Sequence, residues 1–402
     1  MNDHSPSSDL AELIAAQPMG RSLLQAFYAD PAIYERDLER ILMRHWLCAG
    51  HESRVPNPGD FFLVEIAAES VIIVRGEDRG LRAFANVCRH RGSRICREAE
   101  GIAKLFICPY HAWTYGIDGA LRAARHMEPG FDRAAHGLRP VQLRVVEGLI
   151  FFTFAETPLR LTEVERTLRE GYGPYGWASA KLAHRETYDI AANWKLAVEN
   201  YVECYHCAPA HPEYARLHAN EQPREKVAAL YDAMAERTAG LGVSISLNDR
   251  WLAGASPGEE ASYCSRSALL RGAVTGSADG KPVAPLMGEF RAYDGGCTFI
   301  HIGPASFFLA YPDHGVIYRF IPQTVQRAKL EVSWLVRGDA REGADYDLEK
   351  LTWLWRVTSE ADKRIIEDNQ RGVNSRYYAP GPFSQMELGE RRLVEWYLRA
   401  IA

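Results

Sequence analysis

The chain has 402 residues, 47% of them hydrophobic and 25% charged, and a formal net charge of -5 at pH 7. This length exceeds one ordinary hydrophobic core, so about two domains are expected, and the composition is that of a globular protein. The mildly acidic balance argues against a nucleic-acid ligand. The longest apolar run, Leu149 to Ala155, is too short to cross a bilayer. The N-terminus, MNDHSPSSDLAEL, lacks the basic and then apolar pattern of a secretory signal, so a cytoplasmic location without membrane attachment is expected.

Residues 1–46 predict a helical segment that packs on the C-terminal domain. Pro31 suits the first position of a helix, and apolar residues follow it at helical spacing: Tyr34, Leu38, Ile41 and Leu42. Between residues 47 and 157 the pattern changes to short strand-like runs broken by turns, such as FFLVEI, SVIIVRG and LIFFTFA. These runs predict an antiparallel β domain.

Two loops of this β domain each offer one thiol and one imidazole. Cys88 and His90 stand in the first loop, and Cys108 and His111 follow after a spacer of 17 residues. Two cysteines on one iron and two histidines on the other hold a Rieske [2Fe–2S] cluster. A structural zinc site is the alternative, but zinc modules usually group a cysteine pair and then a histidine pair. The arrangement therefore predicts single-electron chemistry.

Residues 158–402 predict a second domain of helices and strands. A charged helical pattern follows Pro158, and another helix is expected from about Trp194 to Cys207. Residues 220–288 show weak periodicity, and both a lid and a subunit contact remain open for them. Strand-like runs come next, with a turn at Pro312 to Gly315. A long helix from about Tyr346 to Gln370 completes the pattern.

The second domain holds a further group of metal-ligand types, namely Glu203, His206 and His211. On an ideal helix Glu203 and His206 differ by about 300° and so share a face, whereas about 140° would separate the two histidines. Pro209 and Pro212 disfavour a continuous helix here. We therefore expect the helix to end after His206, so that both histidines can reach one metal.

Two histidines and one carboxylate form the facial triad that binds non-haem Fe(II) and leaves positions open for O₂ and substrate. The carboxylate is expected from the C-terminal helix, where Asp362 and Asp368 are both candidates. The residue pattern alone barely separates them.

With both motifs in place, the chain resembles, over nearly its full length, the α subunit of a Rieske non-haem iron oxygenase, the ring-hydroxylating oxygenase family. The segments CRHRG and CPYHAWTY are similar to the family's cluster motif, and NWKLAVENYVECYHCAPAHP is similar to its iron motif. The resemblance implies an α+β protein with an antiparallel β Rieske domain and a helix-grip catalytic domain built on a central antiparallel sheet. It also implies a [2Fe–2S] cluster and a mononuclear Fe(II).

The resemblance assigns ligands to both metals. Cys88, His90, Cys108 and His111 would hold the cluster, and His206, His211 and Asp362 the iron. Asp362 is favoured over Asp368 because Glu367 and the run Gln370-Arg371-Gly372 follow it at the family's spacing.

Many family members carry Asp three residues before the first histidine ligand, where this chain has Glu203. That carboxylate is implied to join His206 to the neighbouring subunit's His111 within a homotrimer. Glu at this place resembles the branch that acts on carnitine, choline and betaine-type amines. A shifted backbone could equally explain the extra methylene.

The resemblance implies an oxygenase that takes electrons from a separate NAD(P)H-dependent flavin and iron–sulfur reductase. In agreement, no strand is followed by the G-x-G-x-x-G dinucleotide pattern. Hydroxylation with N-demethylation of a small quaternary or tertiary amine is the first hypothesis. Oxygenation of an aromatic ring or aromatic carboxylate is the second, and a Rieske electron carrier without catalysis is the third. Aromatic residues suited to either kind of substrate, though usually core, are Phe299, Phe307, Phe308, Tyr311, Tyr318 and Phe320.

Overall fold

The N-terminal segment is helical in the computed structural model, which describes residues 6–219, 222–252, 256–270 and 272–402. It forms α1 (Pro6–Ala16), α2 (Gln25–Ala29) and α3 (Pro31–Asp37), and a π-helical turn extends α3 to Leu42. Pro31 begins α3, and the Asp30 side chain accepts a hydrogen bond from the backbone of Ala32. Apolar side chains of α2 and α3 share a core with the C-terminal sheet.

Ten strands follow, and all their pairings are antiparallel, as predicted. They are β1 (Leu47–His51), β2 (Asp60–Ile66), β3 (Glu69–Arg75), β4 (Leu81–Ala85), β5 (Glu100–Ile102), β6 (Leu105–Ile107), β7 (Thr114–Gly116), β8 (Leu121–Ala123), β9 (Gln142–Val146) and β10 (Leu149–Thr153). The sheets have the strand orders β4-β3-β2-β5, β6-β7-β8 and β1-β10-β9.

The C-terminal half is built on an antiparallel sheet of six strands in the order β11-β16-β15-β14-β13-β12. Its strands are β11 (Ala180–Ile190), β12 (Ser262–Ala268), β13 (Gly296–Ile302), β14 (Ser306–Ala310), β15 (Gly315–Thr324) and β16 (Arg327–Arg337). Its helices are α4 (Thr162–Tyr172), α5 (Trp194–Tyr201), α6 (Cys207–Ala210), α7 (Pro212–Ala215), α8 (Arg224–Gly240), α9 (Leu348–Val373) and α10 (Leu388–Ile401). The predicted α+β fold class is confirmed.

The two faces of the six-stranded sheet bury different partners because alternate residues of a strand point to opposite sides. On β14, Phe307 packs into the cluster that contains α5 and α9, whereas Phe308 packs with α4 and β10. The boundary predicted between residues 157 and 158 lies in the connection from β10 to α4. Phe151 of β10 shares a core with the sheet across this connection, so the division into domains stays a prediction.

Several elements differ from the sequence-based expectations. The segment 220–288 contains α8 and β12, where only weak periodicity was visible, and β11 and α10 were not predicted. The predicted turn at Pro312 to Gly315 does connect β14 to β15, and α9 matches the expected long helix. In the described ranges no helix is long and apolar enough to cross a membrane, and the cytoplasmic location stays a prediction.

Candidate metal centres

The two cysteine–histidine loops repeat one backbone pattern. The backbone N–H of Cys88 donates to the carbonyl of Ser93 at 2.9 Å, and that of Cys108 donates to Trp113 at 2.8 Å. The amide four residues after each cysteine donates back to its carbonyl at 3.0 Å. Both of these residues, Gly92 (φ 78°) and Ala112 (φ 55°), have a left-handed backbone. Each loop is therefore folded tightly around its cysteine.

The side chains of the loops divide into buried sulfurs and exposed imidazoles. Cys88 and Cys108 are 3% and 2% exposed, whereas His90 and His111 are at the surface, with ring centroids 4.6 Å apart. Trp113 stacks on His90 at 4.8 Å, which fixes the plane of that ring. Two buried thiols behind two neighbouring imidazoles fit the donor set of a Rieske cluster.

Tyr115 supports the first loop from within. Its hydroxyl lies 3.3 Å from the sulfur of Cys88 and accepts a hydrogen bond from the backbone N–H of Arg89 at 3.0 Å. Such contacts behind a metal ligand orient it and tune the metal. Nothing in the residue pattern distinguished Tyr115 from an ordinary core tyrosine.

The prediction that one helix runs through Glu203 and His206 is wrong, because α5 ends at Tyr201. The carboxylate of Glu203 accepts hydrogen bonds from the backbone N–H groups of Tyr205 and His206, which folds the chain back after the helix. A disulfide joins Cys204 to Cys207 around His206. Neither cysteine was expected to form a bond. The four cysteines Cys48, Cys96, Cys264 and Cys297 are free and buried.

The chain breaks at His211 rather than directly after His206. His211 has a non-helical backbone (φ -131°, ψ 63°) and separates α6 from α7, which begins at Pro212. This break turns the imidazole of His211 towards that of His206, so that the ring centroids lie 5.2 Å apart. Pro209 stands inside the short α6, where its missing N–H costs no hydrogen bond within the first turn.

Asp362 of α9 completes the group. Its Oδ1 lies 2.7 Å from Nε2 of His211 and 3.4 Å from Nε2 of His206. The ligand atoms of these three residues all lie within 4.8 Å of one another. Asp368 is instead exposed and pairs with Arg371 on the surface of the helix. Two nitrogens that converge on one carboxylate oxygen fit the facial triad.

Hydrogen bonds between α9 and the start of α5 hold Asp362 opposite the histidines. The side chain of Gln370 accepts a hydrogen bond from the backbone N–H of Asn193 at 2.8 Å, and Glu367 accepts one from Ala191 at 3.0 Å. Asn193 in turn caps α5 by accepting from Lys195 at 3.0 Å. Glu367 and Gln370 were expected only because they fit the family's spacing. Their hydrogen bonds to the start of α5 were not predicted.

The electrostatics of the site favour a cation. Burial lowers the pKa of His206, but the hydrogen bonds that its ring donates to the carboxylates of Asp362 and Glu203 raise this pKa to about 10. Burial raises the pKa of Asp362, and the two histidines more than offset this, so it lies below its usual value. Oε1 of Glu203 is 2.5 Å from Nδ1 of His206, and it orients this ring from behind.

A cavity of about 470 Å³ opens beside the triad. Its wall carries aromatic and histidine side chains: Tyr201, Tyr263, Phe299, His301, Tyr318 and Trp355. Of the six aromatic residues considered from the sequence, only Phe299 and Tyr318 line it. Phe308 lies on the opposite face of the sheet. The volume is within the usual range for a small-molecule site.

A larger groove of about 670 Å³ lies along α4 and contains none of the predicted ligands. Three of its arginines pair with glutamates, Arg160 with Glu259 at 2.6 Å, Arg166 with Glu163 at 2.7 Å and Arg169 with Glu165 at 3.1 Å. The cavity beside Asp362 is therefore the better candidate for the substrate.

Comparison with known families agrees with this geometry. The model of the Rieske [2Fe–2S] domain matches residues 45–146, and that of the ring hydroxylating alpha subunit (catalytic domain) matches residues 178–402. Fold and sites together define the oxygenase component of a Rieske-type oxidoreductase, which uses O₂, a small-molecule substrate and a reductase partner. The chain belongs to the ring-hydroxylating alpha subunit family, and its cofactors are a Rieske [2Fe–2S] cluster and a mononuclear iron. This membership removes the zinc and electron-carrier alternatives.

Individual relatives narrow the family further. The glycine betaine monooxygenase oxygenase subunit of Pseudomonas aeruginosa (strain UCBPP-PA14) is 36% identical, over 96% of this chain and 90% of the relative. The carnitine monooxygenase oxygenase subunit of Escherichia coli (strain K12) is 40% identical, over 54% of this chain and 59% of the relative. A solved structure of a quaternary ammonium Rieske monooxygenase has the same fold, with a TM-score of 0.72, 22% identity and 96% coverage of both chains.

Proposed function

We propose that the protein hydroxylates a methyl carbon of a small quaternary or tertiary amine of the betaine or carnitine type. The observation that carries the proposal is the similarity of nearly the whole chain to a glycine betaine monooxygenase oxygenase subunit. The cavity supports it, because aromatic faces attract a quaternary ammonium group by about 0.5–2 kcal/mol per well-placed ring. Tyr201, Tyr318 and Trp355 supply such faces beside the triad.

The proposed reaction balances with two electrons from the reductase. A methyl group on nitrogen, O₂, two electrons and two protons give an N-hydroxymethyl group and water. The carbon–nitrogen bond then breaks with its electron pair on nitrogen, so that formaldehyde and a proton leave and the demethylated amine remains. We further propose that the reductase is an NAD(P)H-dependent flavin and iron–sulfur protein.

The residue roles are proposals that follow the geometry. His206, His211 and Asp362 would hold the iron, which would supply the activation of O₂ when bound. The cluster is held by the four residues of the two loops, Cys88, His90, Cys108 and His111. Glu203 orients His206, and its own side chain is 10% exposed.

We propose that electrons enter this site from a neighbouring subunit in a homotrimer. The exposed His111 stands among exposed apolar side chains, with Ile107 and Tyr110 both 55% exposed. A second apolar surface near Glu203 includes Tyr205 and Leu388, which is 53% exposed. Exposed apolar patches favour protein interfaces, and inter-subunit electron transfer is described for a quaternary ammonium Rieske monooxygenase of the same fold. Contact between these surfaces would bring the neighbouring subunit's His111 to Glu203.

The proposed activity is tested by turnover with a substrate panel. The holoprotein, a Rieske-oxygenase reductase and NADH are mixed with glycine betaine, carnitine, choline or benzoate, and O₂ uptake and formaldehyde are measured. We expect about one formaldehyde per O₂ with at least one quaternary amine and none with benzoate. Coupled turnover with aromatic acids alone would establish the second hypothesis, oxygenation of an aromatic substrate, in its place.

A further inference from the structure

His301 occupies an unusual place in the cavity wall. It lies on β13 opposite Tyr263 of β12 and Phe307 of β14 in the sheet register. Phe299, two residues earlier on the same strand, points to the same face and also lines the cavity. His301 therefore lies on a sheet face where its neighbours in register and along the strand, Tyr263, Phe307 and Phe299, are all aromatic.

Aromatic rings enclose the imidazole of His301. The ring centroids of Phe307, Tyr263 and Trp251 lie 4.8, 5.1 and 5.2 Å away. The residue is 9% exposed and its Nδ1 is buried, with no hydrogen-bond partner among the described residues. Burial lowers the pKa of His301 to about 3, so the ring is neutral at physiological pH.

The buried Nδ1 determines where the single proton of the neutral ring belongs. A buried N–H without an acceptor costs about 1–3 kcal/mol, and buried N–H groups without a partner are rarer in proteins than buried acceptors without one. The proton therefore belongs on Nε2. Because His301 lines the cavity while its Nδ1 is inaccessible, Nε2 is the nitrogen that a ligand can reach.

The cationic residue of the same wall is already engaged. Arg266 donates to the carboxylate of Asp294 at 2.5 Å and to the hydroxyl of Thr238 at 2.9 Å. Its charge is therefore balanced by Asp294 before any ligand enters. His301 therefore offers a neutral N–H to an anionic ligand group from within its aromatic surroundings, while the polar side chains of Ser265 and Ser267 on the neighbouring strand also line the cavity.

We propose that Nε2–H of His301 donates a hydrogen bond to the carboxylate of a betaine-type substrate and so selects amines that carry an anionic end. The inference rests on the proposed function and names the substrate class of the same site. The aromatic rings hold the trimethylammonium group, and His301 fixes which end of the molecule they receive.

The test compares glycine betaine with isobutyltrimethylammonium, which has methyl groups in place of the carboxylate oxygens. Calorimetry measures both dissociation constants for the anaerobic holoprotein, His301→Phe and His301→Gln. Since a hydrogen bond to a charged group contributes about 1.5–3 kcal/mol, we expect His301→Phe to weaken glycine betaine binding by roughly ten- to hundredfold. Binding of the isosteric cation should change less than about twofold, and His301→Gln, which keeps a donor, should recover part of the loss.

Three results overturn the inference in distinguishable ways. Equal weakening of both ligands by His301→Phe would make His301 a packing residue, and unchanged binding of both would remove it from the site. In either case the proposed function stands. If the parent protein binds neither ligand, nor carnitine or choline, the proposed function fails together with the inference. Thermal unfolding and the visible spectrum of the cluster verify folding, and if His301→Phe does not fold, His301→Leu, which also lacks a donor, takes its place.

Discussion

The two metal centres of this chain are built in opposite ways. At the cluster loops the sulfurs are buried and the imidazoles of His90 and His111 face outwards. At the iron site His211 is buried, and Asp362 stands behind a cavity. The first arrangement suits electron transfer through the protein surface, and the second suits a reaction that must admit substrate and exclude water. The histidines of the electron-transfer centre are thus exposed, whereas His211 of the catalytic centre is buried.

Asp362→Asn is expected to have the largest effect and to separate the two centres. The amide is a much weaker ligand than the carboxylate, so iron should fall from about three to about two atoms per chain while the spectrum of the cluster stays intact. Turnover should drop at least roughly 100-fold. Iron analysis and visible absorption measure both effects.

Asp368→Asn is the matched control, because Asp368 lies on the same helix but is exposed and paired with Arg371. It should keep all the iron and turnover within about twofold, since exposed ion pairs contribute little. If Asp368→Asn lost the iron and Asp362→Asn kept it, the assignment of the triad would have to be reversed.

Glu203→Ala is expected to uncouple the two centres without emptying them. Removal of a group that orients a metal ligand typically costs 10- to 100-fold, so turnover should fall by roughly that factor while both metals remain. Stopped-flow reoxidation of the reduced cluster, with substrate and O₂ present, should slow by the same factor. Glu203→Gln keeps the side-chain shape, so its turnover should lie between those of the parent protein and Glu203→Ala. Reoxidation at the parent rate in Glu203→Ala would show that the carboxylate plays no part in the connection.

The smallest effect is expected from the disulfide between Cys204 and Cys207, which has no counterpart in the cluster loops, where Cys88 and Cys108 are free. Replacing both Cys204 and Cys207 with serine opens a loop of four residues, which lowers the free energy of unfolding by about 2 kcal/mol in the loop-entropy model. The transition temperature of the catalytic domain should fall and the cluster spectrum should not change. Parent protein treated with a mild reductant should melt like the variant. An unchanged melting temperature in both samples would show that the cysteines are not joined in solution.

The cluster loops could be predicted from the sequence because the four proposed ligands lie within 24 residues and each loop repeats one local pattern. The iron site could be predicted only in part. Its histidines are local, but the choice of Asp362 depends on how α9 packs against α5, which the contact of Gln370 with Asn193 decides. The end of α5 at Tyr201 could not be predicted either. There the side chain of Glu203 accepts a hydrogen bond from the backbone of His206, and the spacing of apolar residues gives no sign of such a contact.

The cavity explains why β12 was not predicted. Tyr263, Ser265 and Ser267 alternate along this strand and face the cavity, so they are not the continuous apolar row that a buried strand shows. His301 was overlooked for the same reason, because a single histidine in a strand-like run gives no signal without its neighbours on the adjacent strands. Of the elements that line the substrate site, α9 was therefore visible in the sequence and β12 was not.

Electron transfer from one subunit to the iron of its neighbour is tested most directly by mixing two inactive variants. Cys108→Ser removes the cluster and His211→Ala removes the iron, so each homotrimer should be inactive. Trimers reassembled from equal amounts should recover about a quarter of parent turnover, because about one junction in four pairs an intact cluster with a neighbour's intact iron site. Mixed trimers, verified by mass spectrometry, that show no more activity than the separate variants would contradict transfer between subunits.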